Sequence, residues 1–97
     1  MTEIEQLKKT LKEHKAQLEE EYGLSEIGIF GSYVEGKYTE KSDLDILVEF
    51  KKTIDLFSFV RLKNTLSELL GTKVDLVMKK ALKPKIGERI LQQVIYI

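Results

Sequence analysis

Ninety-seven residues, 42% hydrophobic and 33% charged, suffice for one compact domain spanning 1–97 and are too few for two. Sixteen Lys and Arg balance sixteen Asp and Glu, and a net charge of zero argues against bulk nucleic-acid binding, which needs a strong basic excess. The lack of cysteine removes disulfides, thiolate metal sites and a thiol nucleophile.

A chain of this size buries only a little over ~60% of its unfolded surface, so its stability margin is thin and a partner covering an apolar face would help. The segment Met1–Glu5 lacks the basic and apolar blocks of a signal peptide. No apolar run approaches membrane-spanning length, so a cytoplasmic protein with no membrane association is expected.

The chain opens on an amphipathic helix. Ile4, Leu7, Leu11, Leu18 and Tyr22 recur at three- and four-residue steps, Thr2 and Glu5 resemble a capping box, and Gly23 is the stop. Glu26–Phe30 reads as a short strand running into Gly31-Ser32, and a polar stretch over 33–42 carries one helical turn near Tyr33–Gly36. Asp43–Phe50 is the clearest strand, with Leu44, Ile46, Val48 and Phe50 on one face and Asp43, Asp45, Leu47 and Glu49 on the other. A second helix follows from about Asp55 to Leu70 and stops at Gly71. Lys73–Met78 is another strand, and after Pro84 a last helix runs towards the end with Ile86, Ile90, Leu91 and Val94 on its apolar side. This order predicts an α+β (α/β-like) fold, a small mixed β-sheet with helices packed on it.

Asp43 and Asp45 carry the first chemical signal. Residues i and i+2 of a strand share a face, so two carboxylates stand side by side. At 4 Å like charges repel by ~1 kcal/mol in water and ~4 kcal/mol at an effective dielectric near 20. Open solvent or a hard cation with oxygen ligands resolves this, and Mg²⁺ commonly takes one or two carboxylates plus substrate phosphates. An isolated Asp-x-Asp is usually a solvated strand end, so further features matter. Gly31-Ser32 sits at a strand-to-turn junction where backbone N–H groups and a hydroxyl can hold phosphate oxygens. Asp75 stands among apolar residues in a later strand, where a carboxylate is costly unless paired or metal-bound. If the two strands are neighbours, Asp75 closes a three-carboxylate cluster; otherwise it is an exposed edge position or pairs with Lys73 or Lys79.

Gly31-Ser32, ten residues, Asp43-x-Asp45 and a later strand aspartate resemble the nucleotidyltransferase superfamily that includes DNA polymerase beta. The short length and Gly36 resemble most its minimal nucleotidyltransferases (MNT). The resemblance implies that Gly31 and Ser32 hold a triphosphate, that Asp43 and Asp45 bind bridging metal ions, and that Asp75 ligates the second ion and helps activate the acceptor hydroxyl. Two Mg²⁺ ions ~3.5–4 Å apart would stabilise attacking and leaving oxygens in an in-line displacement. It further implies ATP as substrate and a HEPN-domain toxin as partner, adenylylated on a tyrosine by an MNT antitoxin. One departure is Glu35, which stands where many family members carry a basic residue; Lys37 is the nearby candidate substitute. The competing expectation is a binding module with a degenerate site that neutralises its partner by complex formation alone.

The remaining features point to structure. His14 lies on the first helix's apolar stripe, Tyr33 and Tyr38 pack locally or stack on a base, and Tyr96 is a candidate partner contact. Lys79, Lys80, Lys83, Lys85 and Arg89 read as a solvated charged face or as a steering surface for a triphosphate. Leu91–Ile97 is more apolar than an exposed end, so it docks on the core or forms an oligomer interface.

Overall fold

The structure, a computed structural model, describes residues 2–97. Helix α1 (Glu3–Tyr22) leads into strand β1 (Leu24–Phe30), the four-residue helix α2 (Ser32–Glu35) and strand β2 (Leu44–Phe50). Helix α3 (Leu56–Leu70), strand β3 (Val74–Met78), a 3-10 turn at Lys79–Ala81, helix α4 (Pro84–Gln93) and the two-residue strand β4 (Ile95–Tyr96) complete the chain. The expected mixed sheet is present, in the order β3-β2-β1-β4. β1 pairs antiparallel with both β2 and β4, and β2 pairs parallel with β3. A parallel neighbour requires a crossover, and α3 supplies it.

Local chemistry sets the helix ends. The Thr2 hydroxyl accepts from the Glu5 N–H at 3.2 Å, one half of the expected capping box, and α1 ends at Gly23. Asp55 caps α3, its carboxylate accepting from the Ser58 N–H at 2.8 Å and the Ser58 hydroxyl at 2.9 Å. Pro84 opens α4, where its missing N–H costs nothing.

The core lies on one face of the sheet. Leu7, Leu11, Leu18 and Tyr22 of α1 join Leu62 and Leu66 of α3 over Ile29, Ile46 and Val74, all of them buried. The opposite face carries Asp45, Glu49 and Asp75, in keeping with the two-residue period of the strands.

Three expectations need correction. β1 starts at Leu24, two residues early, because Leu24 is buried and pairs with Phe50 around an irregularity in the ladder. The last helix stops at Gln93, and Val94 turns into extended backbone because the next two residues add an edge strand to β1. Its apolar stripe is largely uncovered: Ile86 and Leu91 are exposed, and the buried residue of α4 is Gly87, packed against Leu82.

The end of the chain docks on the core rather than standing free. The Ile97 N–H donates to the Ile27 carbonyl at 2.9 Å, and Lys15 Nζ donates to the Ile97 carbonyl at 2.7 Å. Gly28 permits this docking, since a Cβ there would lie 2.7 Å from Val94 Cγ2 and 3.0 Å from the Ile95 carbonyl oxygen.

Candidate active site

The parallel register of β2 and β3 brings the aspartates together. The Leu44 N–H donates to the Lys73 carbonyl at 2.8 Å, and this start to the ladder sets Asp45 directly opposite Asp75. Asp45 is half-buried in the second strand from the edge, whereas Asp75 is exposed on the edge strand itself. Asp43 immediately precedes β2 and is half-buried. A tight turn delivers it: the Ser42 N–H donates to the Thr39 carbonyl at 3.0 Å, and the Thr39 N–H donates to the Ser42 hydroxyl at 2.9 Å.

On the other side of β2, the antiparallel register puts Phe30 opposite Asp45, and the next residue turns out of the sheet. That residue is Gly31, at φ 81° and ψ −152°, a conformation that favours glycine. A Cβ at Gly31 would also lie 2.9 Å from Asp45 Cγ, so no side chain fits there. Two demands, one conformational and one steric, therefore converge on a single glycine. Ser32 is the first residue of α2, whose turn closes through the Val34 and Glu35 N–H groups on the Gly31 carbonyl at 3.0 and 3.1 Å.

This geometry perturbs one acid. Burial, then the charge of Asp75 and a hydrogen bond shared with it, and finally the charge of Asp43 push the Asp45 carboxyl up to about 6. Asp45 and Asp75 set two carboxylates opposite each other, with that of Asp43 carried one residue before the strand, and oxygen donors are the kind hard cations prefer. Among the described residues no three His, Cys, Asp or Glu side chains converge closely enough to cage a metal ion by themselves. A divalent ion held by these carboxylates would have to draw the rest of its shell from other ligands, and a cation there would relieve the repulsion at Asp45.

Other candidates resolve into structure. Tyr33 is buried and stacks on Tyr38, ring centroids 4.4 Å apart and planes 4° apart, which braces the segment before Asp43. The His14 ring nitrogen meets the Thr10 carbonyl at 2.9 Å within α1. Lys79 bridges Glu26 at 3.2 Å and Glu49 at 3.7 Å, while Lys80, Lys83, Lys85 and Arg89 are exposed. One participant comes from the far end of the chain. Gln93, the last residue of α4, accepts from the Gly31 N–H through Oε1 at 2.7 Å and donates through Nε2 to Glu35 Oε1 at 2.8 Å. A glutamine 62 residues from its partner leaves no local sequence signal.

A mixed sheet with paired strand carboxylates beside a Gly-Ser turn is the architecture of a nucleotidyltransferase. The family model described as the nucleotidyltransferase domain matches residues 11–97. The protein adenylyltransferase MntA of Thermococcus cleftensis is 45% identical over 97 residues, covering 100% of this chain and 98% of the relative. A relative from Methanocaldococcus jannaschii is 49% identical over 98 residues, covering 100% of both chains. Among solved structures, one described as a minimal nucleotidyltransferase superposes with a TM-score of 0.75 at 35% identity, covering 92% of this chain and 93% of the other. A toxin–antitoxin crystal structure with AMP-PNP superposes with a TM-score of 0.71 at 26% identity, covering 88% and 70%. The chain belongs to the nucleotidyltransferase-domain family and, within it, to the minimal nucleotidyltransferases, enzymes of nucleotidyl transfer.

Proposed function

We propose that the protein is a Mg²⁺-dependent protein adenylyltransferase that moves AMP from ATP to a tyrosine hydroxyl of a HEPN-type toxin and so acts as its antitoxin in the cytoplasm. The observation that carries this reading is the pairing of Asp45 with Asp75 across parallel strands, beside the Gly31 turn and with Asp43 one residue before the strand. The name of the Thermococcus relative and the AMP-PNP in a similar toxin–antitoxin structure support the donor and the class of acceptor.

In this reading Gly31 and Ser32 bind the triphosphate through backbone N–H groups and the serine hydroxyl. Asp43 and Asp45 would hold Mg²⁺, and Asp75 would add a third carboxylate. When bound, the metal would neutralise phosphate charge and polarise the α-phosphate. The tyrosine oxygen forms a bond to the α-phosphorus, the bond to the bridging oxygen breaks, and pyrophosphate leaves. Asp75, exposed at the edge where an acceptor can approach, takes up the hydroxyl proton. The chain supplies position and electrostatics and needs no covalent nucleophile, consistent with its lack of cysteine.

A partner surface is at hand. Leu56 and Phe57 at the start of α3 are 72% and 87% exposed, and Val60 lies one turn further on. An apolar cluster of this kind is typical of a protein–protein contact.

The test is transfer of label from ATP carrying it at the α-phosphate, with Mg²⁺ and a co-expressed HEPN partner. Label on a partner tyrosine, lost in Asp43→Ala while the fold persists, is the expected outcome. A partner that binds tightly and stays unlabelled would instead identify a binding module that neutralises by complex formation.

A further inference from the structure

The Gly31 N–H, which the proposed function assigns to the triphosphate, is engaged by the protein itself. It donates to Gln93 Oε1 at 2.7 Å, a short hydrogen bond to a neutral carbonyl-type acceptor. The other half of the same amide is committed as well, with Nε2 donating to the Glu35 carboxylate at 2.8 Å. Gln93 thus spans the two ends of the turn, bonded to Gly31 at its start and to Glu35 at its close. A carboxylate acceptor makes the second bond the stronger kind and fixes which way round the amide sits.

The backbone behind Gln93 is anchored independently. The Val94 N–H closes α4 on the Ile90 carbonyl at 2.9 Å, Ile95 and Tyr96 pair with Ile29 and Gly28, and the Ile97 N–H reaches the Ile27 carbonyl. Because β4 holds this backbone to β1, release of the Gly31 N–H requires only rotation of the Gln93 side chain.

We propose that Gln93 is an internal stand-in for a phosphate oxygen: it occupies the Gly31 N–H, is held there by Glu35, and must be displaced when a triphosphate binds. The proposal rests on the nucleotide reading given above. It assigns Glu35 a task suited to its charge, because its carboxylate accepts from Gln93 Nε2 and so orients the amide with Oε1 towards the Gly31 N–H. Affinity for nucleotide is then set by competition, since one N–H serves one acceptor well.

The experiment is calorimetric titration of Mg²⁺ and AMP-PNP onto the full chain, comparing wild type with Gln93→Ala, Glu35→Ala and the double variant. Gln93→Ala is expected to tighten binding about fivefold, the factor that one ordinary hydrogen bond is worth. Glu35→Ala is also expected to tighten binding, and the two effects are expected to be less than additive because both release the same side chain. A purely structural clamp would lose affinity and thermal stability together, so tighter binding by a less stable variant distinguishes the two roles. Unchanged or weaker binding by Gln93→Ala, with wild type binding normally, overturns the proposal and leaves the nucleotide reading standing. No Mg²⁺-dependent binding by any of the proteins overturns the nucleotide reading and this proposal with it. Should the alanine variant fail to fold, the side-chain amide resonance of Gln93 in the wild type decides. A shift on saturation with Mg²⁺ and AMP-PNP supports displacement, and an unmoved resonance overturns it.

Discussion

Asp45 bears the largest electrostatic cost in the site, and the cost has a definite sign in pH. Its carboxyl is pushed up to about 6 by burial, by Asp75 and by Asp43, from an ordinary 3.8. The folded chain therefore binds this proton more tightly than the unfolded chain does. Stability contributed by Asp45 is present below pH 4 and is lost as pH rises through 6. In chelator, the Asp45→Asn variant should lose this pH dependence and be more stable than wild type at pH 7, by roughly 1 kcal/mol after allowance for solvent screening of a half-exposed carboxylate. Thermal melts of both proteins at pH 5 and pH 7 measure it, and parallel shifts in the two would move the responsible proton to another group. Asp43, Asp45 and Asp75 were all legible as candidates from strand period and from an out-of-place charge. The direct pairing of Asp45 with Asp75 was not, because a sequence does not state which strands are neighbours.

At the scale of elements, the helix starts and stops were the most legible part of the chain. Thr2, Asp55, Gly23 and Gly71 act within one turn of where they stand, so short-range chemistry decides them. The region 84–97 is less legible. Its apolar residues obey a helical period, yet Val94 leaves the helix because Ile95 and Tyr96 gain a strand partner in β1. That gain depends on Gly28, which leaves room for the incoming backbone. Gly28→Ala should destabilise the protein by about 1–3 kcal/mol, since the Ile95 carbonyl at 3.0 Å is backbone and cannot rotate away. Urea denaturation measures the loss, and faster hydrogen exchange at the Ile97 amide would localise it to β4. An unchanged midpoint would mean that the last strand moves aside freely.

The whole molecule is small enough that its margin matters. Leu11, Ile46 and Leu62 are fully buried in a single layer between two helices and the sheet. Leu62→Ala should cost about 2–5 kcal/mol, a large part of a total that for such domains is ~5–15 kcal/mol. If nucleotide binds the folded state alone, Mg²⁺ with AMP-PNP at a hundredfold excess over Kd should restore ~2.7 kcal/mol. Denaturant midpoints of the variant with and without nucleotide test both statements, and a variant as stable as wild type would place the core elsewhere. Leu56, Phe57, Ile86 and Leu91 are exposed, and the proposed partner would add to this margin by covering them.

What the sequence by itself determined is what acts over one or two turns of chain: the helix caps, the alternation that puts Asp45 and Glu49 on the face opposite the core, and the Gly-Ser turn that precedes them. These follow from backbone geometry and hydrogen bonding between near neighbours. Tertiary structure alone decided that Asp75 faces Asp45, that the Asp45 carboxylate occupies the space above Gly31, and that Gln93 reaches back to the same glycine. Each of those contacts joins residues separated by 14 positions or more, and sheet order and the docking of the last strand, not local propensity, bring them together.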